Sequence, residues 1–173
     1  MLSGIHNIHF IGIGGAGMSA LAHVLCERGF HVSGSDKNAG GICEKLKALG
    51  AVVYQGHASG QVNGADAVVI SSAIHQDNCE LVAAKEQGIK VMHRSDVLAE
   101  LLNHADGVAV AGAHGKTTTS AMLSCIAAQG SIDPTIVIGG EVTSLGGNAR
   151  SCKARTFIAE GDESDRSFCT FYP

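Results

Sequence analysis

"IHFIGIGGAGMSALA", residues 8–22, decides how the rest of the chain is read. An apolar run of strand-forming residues meets Gly12, Gly14 and Gly17 in the spacing G-x-G-x-x-G. "AGMSALAHVLCERG" (16–29) follows with a helical apolar period and stops at Gly29. A strand, a glycine turn and a helix start form the context in which this spacing carries meaning. Gly12 permits the tight turn, Gly14 lets a backbone approach a diphosphate, and Gly17 allows close helix–strand contact. The amides and positive dipole end at the helix start attract an anion. The next strand, "HVSGSD" (31–36), ends at Asp36, nineteen residues past Gly17, where a carboxylate can hold a ribose hydroxyl. On these residues alone, a nicotinamide dehydrogenase and a glycine turn that serves only tight packing both stand as readings.

Outward from this stretch, short apolar runs alternate with helical patterns. Helices are predicted over "GICEKLKALG" (41–50), "NCELVAAKEQG" (78–88) and "SDVLAELLN" (95–103), the last capped by Ser95. Strands are predicted over "AVVYQG" (51–56), "ADAVVISSAI" (65–74) and "KVMHR" (90–94). Such β–α alternation, with glycine at helix ends, predicts an open, mostly parallel α/β sheet of Rossmann-like type. The pattern restarts after "NHADG", so a domain is predicted over residues 1–106 and a second, P-loop-type α/β unit over 107–173. The second unit has only about three predicted strands, few for a doubly wound sheet. The chain is therefore expected to be a fragment of a longer protein, with this half partial.

Composition fits. The apolar fraction is 45% and the charged fraction 16%, against about 25% charged in an ordinary domain. Buried parallel strands read as unbroken apolar runs. Net charge is -4 with Lys and Arg scattered, which argues against a nucleic-acid partner. No apolar run approaches a membrane span, and "MLSGIHNIHF" lacks the features of a signal peptide, so a cytoplasmic location is expected. The six cysteines form no C-x-x-C pair and are expected to be reduced, mostly buried thiols. His6 and His9 in "HNIH" are expected to be ordinary positions at a strand start rather than metal ligands.

A second glycine loop, "GVAVAGAHGKTTTSAML" (107–123), repeats the logic. It carries G-x-x-G-K-T rather than the full G-x-x-x-x-G-K-[ST], because Val110 stands where the first glycine of the longer form would be. The shortened loop still points backbone N–H groups into one cavity. Lys116 reaches β/γ-phosphate oxygens and Thr117 can ligate Mg²⁺. Downstream, "RTFIAEGDESD" (155–165) places Glu160 at the end of an apolar strand, where a further Mg²⁺ ligand belongs. Asp162, Glu163 and Asp165 read as loop carboxylates.

Taken in order, "GIGGAGMSALA", "VSGSD", "SSAI", "GAHGKTTT" and "EGDESD" resemble the Mur ligases, the ATP-dependent amide ligases of bacterial cell-wall synthesis. The likeness runs over nearly the whole chain. It implies that the first unit binds the UDP of a nucleotide-sugar rather than a nicotinamide. Gly14, Gly15, Ala16 and Gly17 would hold the diphosphate, Asp36 would sit by the uridine, and Ser71, Ser72 and Arg94 would line the same crevice, with His57 a further candidate. It implies that the second unit binds ATP through Gly112, Ala113, His114, Gly115, Lys116, Thr117 and Thr118. Lys116 and Glu160 would be catalytic, and Thr117 and Glu160 would hold Mg²⁺. Ala113 departs from the threonine common at that position in the family, and the resemblance gives His114 no defined role.

Within the family, the pattern is nearest to the members that join L-alanine to the lactyl carboxylate of UDP-N-acetylmuramate through an acyl phosphate. Members that recycle murein tripeptide come second. A non-catalytic nucleotide-sensing module and the dehydrogenase remain as alternatives; neither accounts for Lys116, Thr117 and Glu160 together. Oligomeric state is not legible. The residues that complete the ATP site in the family lie beyond Pro173, so the chain alone is expected to be inactive.

Overall fold

The computed structural model describes residues 2–38, 40–152, 154–161 and 171. Packing divides the chain into two units, Met1–Arg94 and Ser95–Pro173. The sequence reading put the division at 106/107. In the structure helix α4 (Arg94–Asn103) goes with the second unit from Ser95 onward, and its end rests on the start of the strand that follows. There Gly107 lies so close that a Cβ would come 2.8 Å from Leu102 Cγ.

The first unit is a five-stranded, all-parallel sheet in the order β3-β2-β1-β4-β5. The strands are β1 (Asn7–Ile11), β2 (His31–Asp36), β3 (Val52–Gln55), β4 (Ala67–Ile70) and β5 (Lys90–His93). Helices α1 (Ala16–Glu27), α2 (Gly41–Ala48) and α3 (Cys79–Glu86) connect them. The alternation of apolar runs and helical patterns thus gave the sheet. Its order reverses at β1, which has β2 on one side and β4 on the other. In open parallel sheets ligands bind at such a switch point, outside the carboxyl ends of the strands.

Strand periodicity sorts the core. Ile8 and Phe10 share one face of β1, and both are fully buried. His9 and Ile11 point to the other face, where Ile11 and Val68 pack with Val62, Leu81 and Ala84 of the connecting elements. Full burial of each Val, Leu, Ile or Phe among them stabilises the fold by about 1.5–3 kcal/mol. The start of β1 is tied to β4 by Asp66, whose Oδ2 accepts the backbone N–H of His6 (2.8 Å) and Asn7 (2.7 Å).

Two boundaries differ from the sequence reading. The strand predicted over 65–74 ends at Ile70, and the residues after it turn back, with the Ile74 N–H donating to the Ser71 carbonyl at 3.1 Å. Helix α4 begins at Arg94, straight from β5, so Ser95 lies inside its first turn rather than capping it.

The second unit holds a four-stranded sheet in the order β6-β9-β7-β8. Its elements are β6 (Asp106–Val110), helix α5 (Lys116–Gln129), β7 (Thr135–Val142), β8 (Gly147–Arg150) and β9 (Thr156–Glu160). Strands β6, β9 and β7 run parallel, while β7 and β8 form an antiparallel hairpin that periodicity did not reveal. The hairpin turns through Gly146, at φ +82° in the left-handed region that glycine accommodates. The described cysteines are free thiols, but only Cys43 is buried and Cys79 is exposed, which corrects the expectation of mostly buried thiols. Cys169 lies outside the described residues. Among the described residues no helix is long and apolar enough to cross a membrane.

Candidate functional sites at two glycine loops

In the first unit, β1 ends at Ile11 and the chain turns through Gly12 at φ +81°, a conformation that residues with a Cβ rarely adopt. The N–H groups of Gly12 and Ile13 both donate to the Ser35 carbonyl, at 2.8 and 3.0 Å, which roots the loop on the end of β2. The loop is packed from three sides. A Cβ at Gly12 would come 3.2 Å from Ile74 Cδ1, and one at Gly14 would come 2.8 Å from Asp36 Oδ2. A Cβ at Gly17 would run into the Arg94 guanidinium. Gly15 forms the N-terminal cap of α1 with no side-chain hydrogen bond. The start of α1 therefore combines backbone amides, the helix dipole and the Arg94 cation, an arrangement suited to a diphosphate.

Asp36 is engaged inward. Its Oδ2 accepts the Gly14 N–H at 2.9 Å and its Oδ1 accepts the Asn38 N–H at 2.9 Å. In this state the carboxylate shapes the glycine loop as well as standing at the sheet edge. Ser71 and Ser72 follow the end of β4, and His57 follows β3, where the Gly56 N–H donates to the Asp36 carbonyl at 2.7 Å. The residues singled out in the first unit (Gly14, Gly15, Ala16, Gly17, Asp36, Ser71, Ser72 and Arg94) thus lie along the carboxyl edge of one sheet.

In the second unit, β6 leads into Ala111–Gly115 and then into α5. Gly112 sits at φ +152° and Gly115, the helix cap, at φ +79°. No side chain caps α5. The Lys116 ammonium donates to the Gly112 carbonyl at 2.6 Å, so the lysine lies folded over its own loop. Ala113, His114 and Thr118 are exposed. Strand β9 pairs with β6 so that Glu160 faces Val110, and the Gly161 N–H donates to the Val110 carbonyl at 2.9 Å. That register carries Glu160 to the loop. The Thr117 hydroxyl donates to Glu160 Oε2 at 3.3 Å, and Glu160 Oε1 is buried with no hydrogen-bond partner. Asp162, Glu163 and Asp165 lie outside the described residues.

The hydroxyl and carboxylate suit a hard cation that takes oxygen ligands. A buried carboxylate oxygen without a partner is costly unless something occupies it. The residues present therefore fit a magnesium ion held jointly with phosphate oxygens. Among the described residues no group of three or more His, Cys, Asp or Glu forms a metal cluster on its own.

A model described as the Mur ligase family, catalytic domain, matches residues 7–106, more than half of the chain. The chain belongs to the Mur ligase family.

This Mur ligase chain is 50% identical over 173 residues to UDP-N-acetylmuramate–L-alanine ligase of Geotalea daltonii. It is 47% identical over 169 residues to the ligase of the same name from Burkholderia cenocepacia. It covers 38% and 36% of those two proteins, so it spans well under half the length of these relatives. Among solved structures, the UDP-N-acetylmuramate–alanine ligase of Thermotoga maritima matches with a TM-score of 0.87 and 32% identity, over 96% of this chain and 39% of that one. The UDP-N-acetylmuramate:L-alanyl-γ-D-glutamyl-meso-diaminopimelate ligase of Neisseria meningitides matches with a TM-score of 0.84 and 34% identity, over 92% of this chain and 53% of that one.

Two features of the Mur ligase chain were not found from sequence. Gly139 and Gly140 of β7 make room for the second site: a Cβ at Gly139 would come 2.8 Å from Glu160 Oε2, and one at Gly140 would come 2.8 Å from Thr117 Cγ2. The register of β7 against β8 shifts between Val137 and Val142, and such irregularities commonly re-aim a strand beside a site. The paired glycines of "IGG" (138–140) are the signal in the sequence for this close approach. The other feature is the buried carboxylate of Glu80 in the first turn of α3.

Proposed function

We propose that this chain supplies the UDP-sugar site and part of the ATP site of an ATP-dependent ligase that joins L-alanine to the lactyl carboxylate of UDP-N-acetylmuramate in peptidoglycan synthesis. The cytoplasm is where such substrates meet. The observation that carries the proposal is the convergence of Lys116, Thr117 and Glu160 at a second glycine loop. A nicotinamide dehydrogenase has no use for that trio, and a nucleotide-sensing module leaves it unexplained.

Gly14, Gly15, Ala16 and Gly17 bind the UDP diphosphate, with Arg94 adding charge and Asp36, Ser71 and Ser72 contacting the nucleoside and sugar side. In the second unit the loop amides of Gly112–Thr118 cradle the ATP phosphates. Lys116 exchanges its contact with the Gly112 carbonyl for β/γ-phosphate oxygens. Magnesium, held by Thr117 and Glu160 when bound, neutralises phosphate charge. The substrate carboxylate attacks the γ-phosphorus, ADP leaves, and the alanine amine then displaces phosphate from the acyl phosphate. No protein nucleophile is required, so positioning and charge neutralisation carry the catalysis.

Fluorescence titration with NADH in competition with UDP tests the reading. Displacement of nothing by NADH, with saturable UDP binding, supports it; tight NADH binding that UDP fails to displace contradicts it. A second reading, the ligase for murein peptides, draws on the likeness to the Neisseria meningitides structure. Supplying L-alanine or peptide to a protein of the relatives' full length separates the two.

A further inference from the structure

Beneath the carboxyl edge of the first sheet lies a buried polar cluster that the functions above do not use. Glu80, fully buried, is the second residue of α3, where the Asn78 side chain caps the helix by accepting its backbone N–H at 2.9 Å. The Ser35 hydroxyl donates to Glu80 Oε2 at 2.5 Å. His57 Nδ1 lies 2.8 Å from Ser35 Oγ and 3.0 Å from Glu80 Oε2. On the other side, His9 Nε2 stands 3.6 Å from Glu80 Oε1.

Proton accounting places a hydrogen on His57 Nδ1. An ionised carboxylate only accepts, and a serine hydroxyl has one proton to give. Because Ser35 gives its proton to Glu80, Ser35 Oγ can only accept from His57. Both contacts of Nδ1 therefore require Nδ1–H, which leaves Nε2 of the neutral ring as an acceptor. The ring sits at the sheet edge with its side chain 15% exposed, and among the described residues no hydrogen bond reaches Nε2. The same carboxylate, through Ser35, steadies the residue whose carbonyl roots the glycine loop. An apolar side chain would fill this space without the desolvation cost of a buried charge.

We propose that Glu80 is a positioning residue of the nucleotide site: it locks His57 as the Nδ1–H tautomer and presents Nε2 to a hydrogen-bond donor on the bound base, the imide N–H of a uracil. This rests on the reading of the first unit as a UDP site. A cytosine offers an acceptor at the corresponding ring nitrogen and gains no partner from His57, so the device favours uridine over cytidine.

The test combines ¹⁵N NMR of the histidine rings with calorimetric titration of UDP and CDP into wild type, Glu80→Met, Glu80→Gln and Gly14→Val. The expected wild-type spectrum shows His57 protonated at Nδ1 and bare at Nε2. Glu80→Met is expected to weaken UDP about ten-fold, the scale of one lost hydrogen bond, and to narrow the UDP-over-CDP preference. Glu80→Gln, which keeps one acceptor oxygen, is expected to restore part of both. A wild-type His57 protonated at Nε2 overturns the proposal even if the variants fold poorly. So does a folded Glu80→Met with unchanged UDP affinity and base preference; if Gly14→Val still abolishes UDP binding in that case, only the role of Glu80 falls. Failure of wild type to bind UDP overturns this proposal and the underlying reading together.

Discussion

The Thr117 hydroxyl meets Glu160 Oε2 at 3.3 Å although 43 positions separate the two residues, and Glu160 Oε1 beside it is buried without a partner. The loop after β6 and the end of β9 come together because those strands pair in parallel register, Val110 opposite Glu160. We expect Glu160→Gln to keep the fold, since the amide fills the same space, and to weaken Mg²⁺-dependent ATP binding by roughly 10–100-fold or more, since losing a group that only supports a metal ligand already costs that much. Titration of ATP with and without Mg²⁺ checks this; equal ATP affinity in the variant and wild type with Mg²⁺ contradicts it.

Gly139 tests the same site from behind. Its φ lies outside the left-handed region, so alanine is tolerated by the backbone, but the new Cβ would meet Glu160 Oε2 at 2.8 Å. The carboxylate is the far end of a flexible side chain and must swing aside. Gly139→Ala is expected to leave the melting temperature within a few degrees of wild type and to weaken Mg²⁺–ATP binding by about ten-fold. A large loss of stability with unaltered ATP binding would show that the glycine serves packing alone.

Arg94 stands against Gly17 at the first turn of α1. Charge-assisted hydrogen bonds contribute about 1.5–3 kcal/mol each, so Arg94→Ala is expected to weaken UDP by roughly 10–100-fold. Arg94→Lys keeps the charge but loses the planar fork, and is expected to recover only part of the affinity. Comparison of UDP with uridine isolates the effect: uridine, which lacks the diphosphate, should bind both variants and wild type alike.

Acid sensitivity follows from Glu80. Burial pushes its carboxyl up, while the interactions with His9, Ser35 and His57 more than offset that and leave it below its ordinary value of 4.5. A carboxylate whose pKa is lower folded than unfolded contributes stability above the unfolded value and loses it as pH falls through the folded one. Asp66 acts in the same direction, held down by the backbone N–H groups of Asn7 and His6 below its ordinary 3.8. Denaturant midpoints measured from pH 6 to pH 3 are therefore expected to fall below about pH 4.5, and less steeply in Glu80→Gln. Parallel curves for the two proteins would show that Glu80 does not contribute.

The sheet of the first unit was legible because its signals are local: apolar runs such as "IHFIGI", helices closed by Gly29 and Gly88, and the spacing of Gly12, Gly14 and Gly17. The loop at Gly112–Thr117 was legible for the same reason, since a glycine loop and a helix start lie next to each other in the chain. The hairpin of β7 and β8 was not, because "EVTSLGGNAR" has neither alternation nor a strong apolar run, and its pairing comes from tertiary context. The Glu80 cluster was hidden because its partners lie 23 and 45 positions away, and only the folded register brings Ser35 and His57 to the start of α3. The carboxyl of Asp36 could be placed at a strand end, but not its grip on the Gly14 amide, which depends on how tightly the loop turns.

One measurement tests the central claim that the two glycine loops hold different ligands: calorimetry with UDP-N-acetylmuramate and, separately, with ATP–Mg²⁺, on wild type and Gly14→Val. A Cβ at Gly14 would meet Asp36 Oδ2 at 2.8 Å, so valine pushes aside the carboxylate that holds the Gly14 N–H and puts its branched side chain where the diphosphate would approach. The expected result is loss of UDP-N-acetylmuramate binding by about 100-fold or more, with whatever affinity the second loop has for ATP–Mg²⁺ left intact. Loss of both ligands together in a folded variant, or retention of both, would contradict the division of labour between residues 12–17 and 112–118.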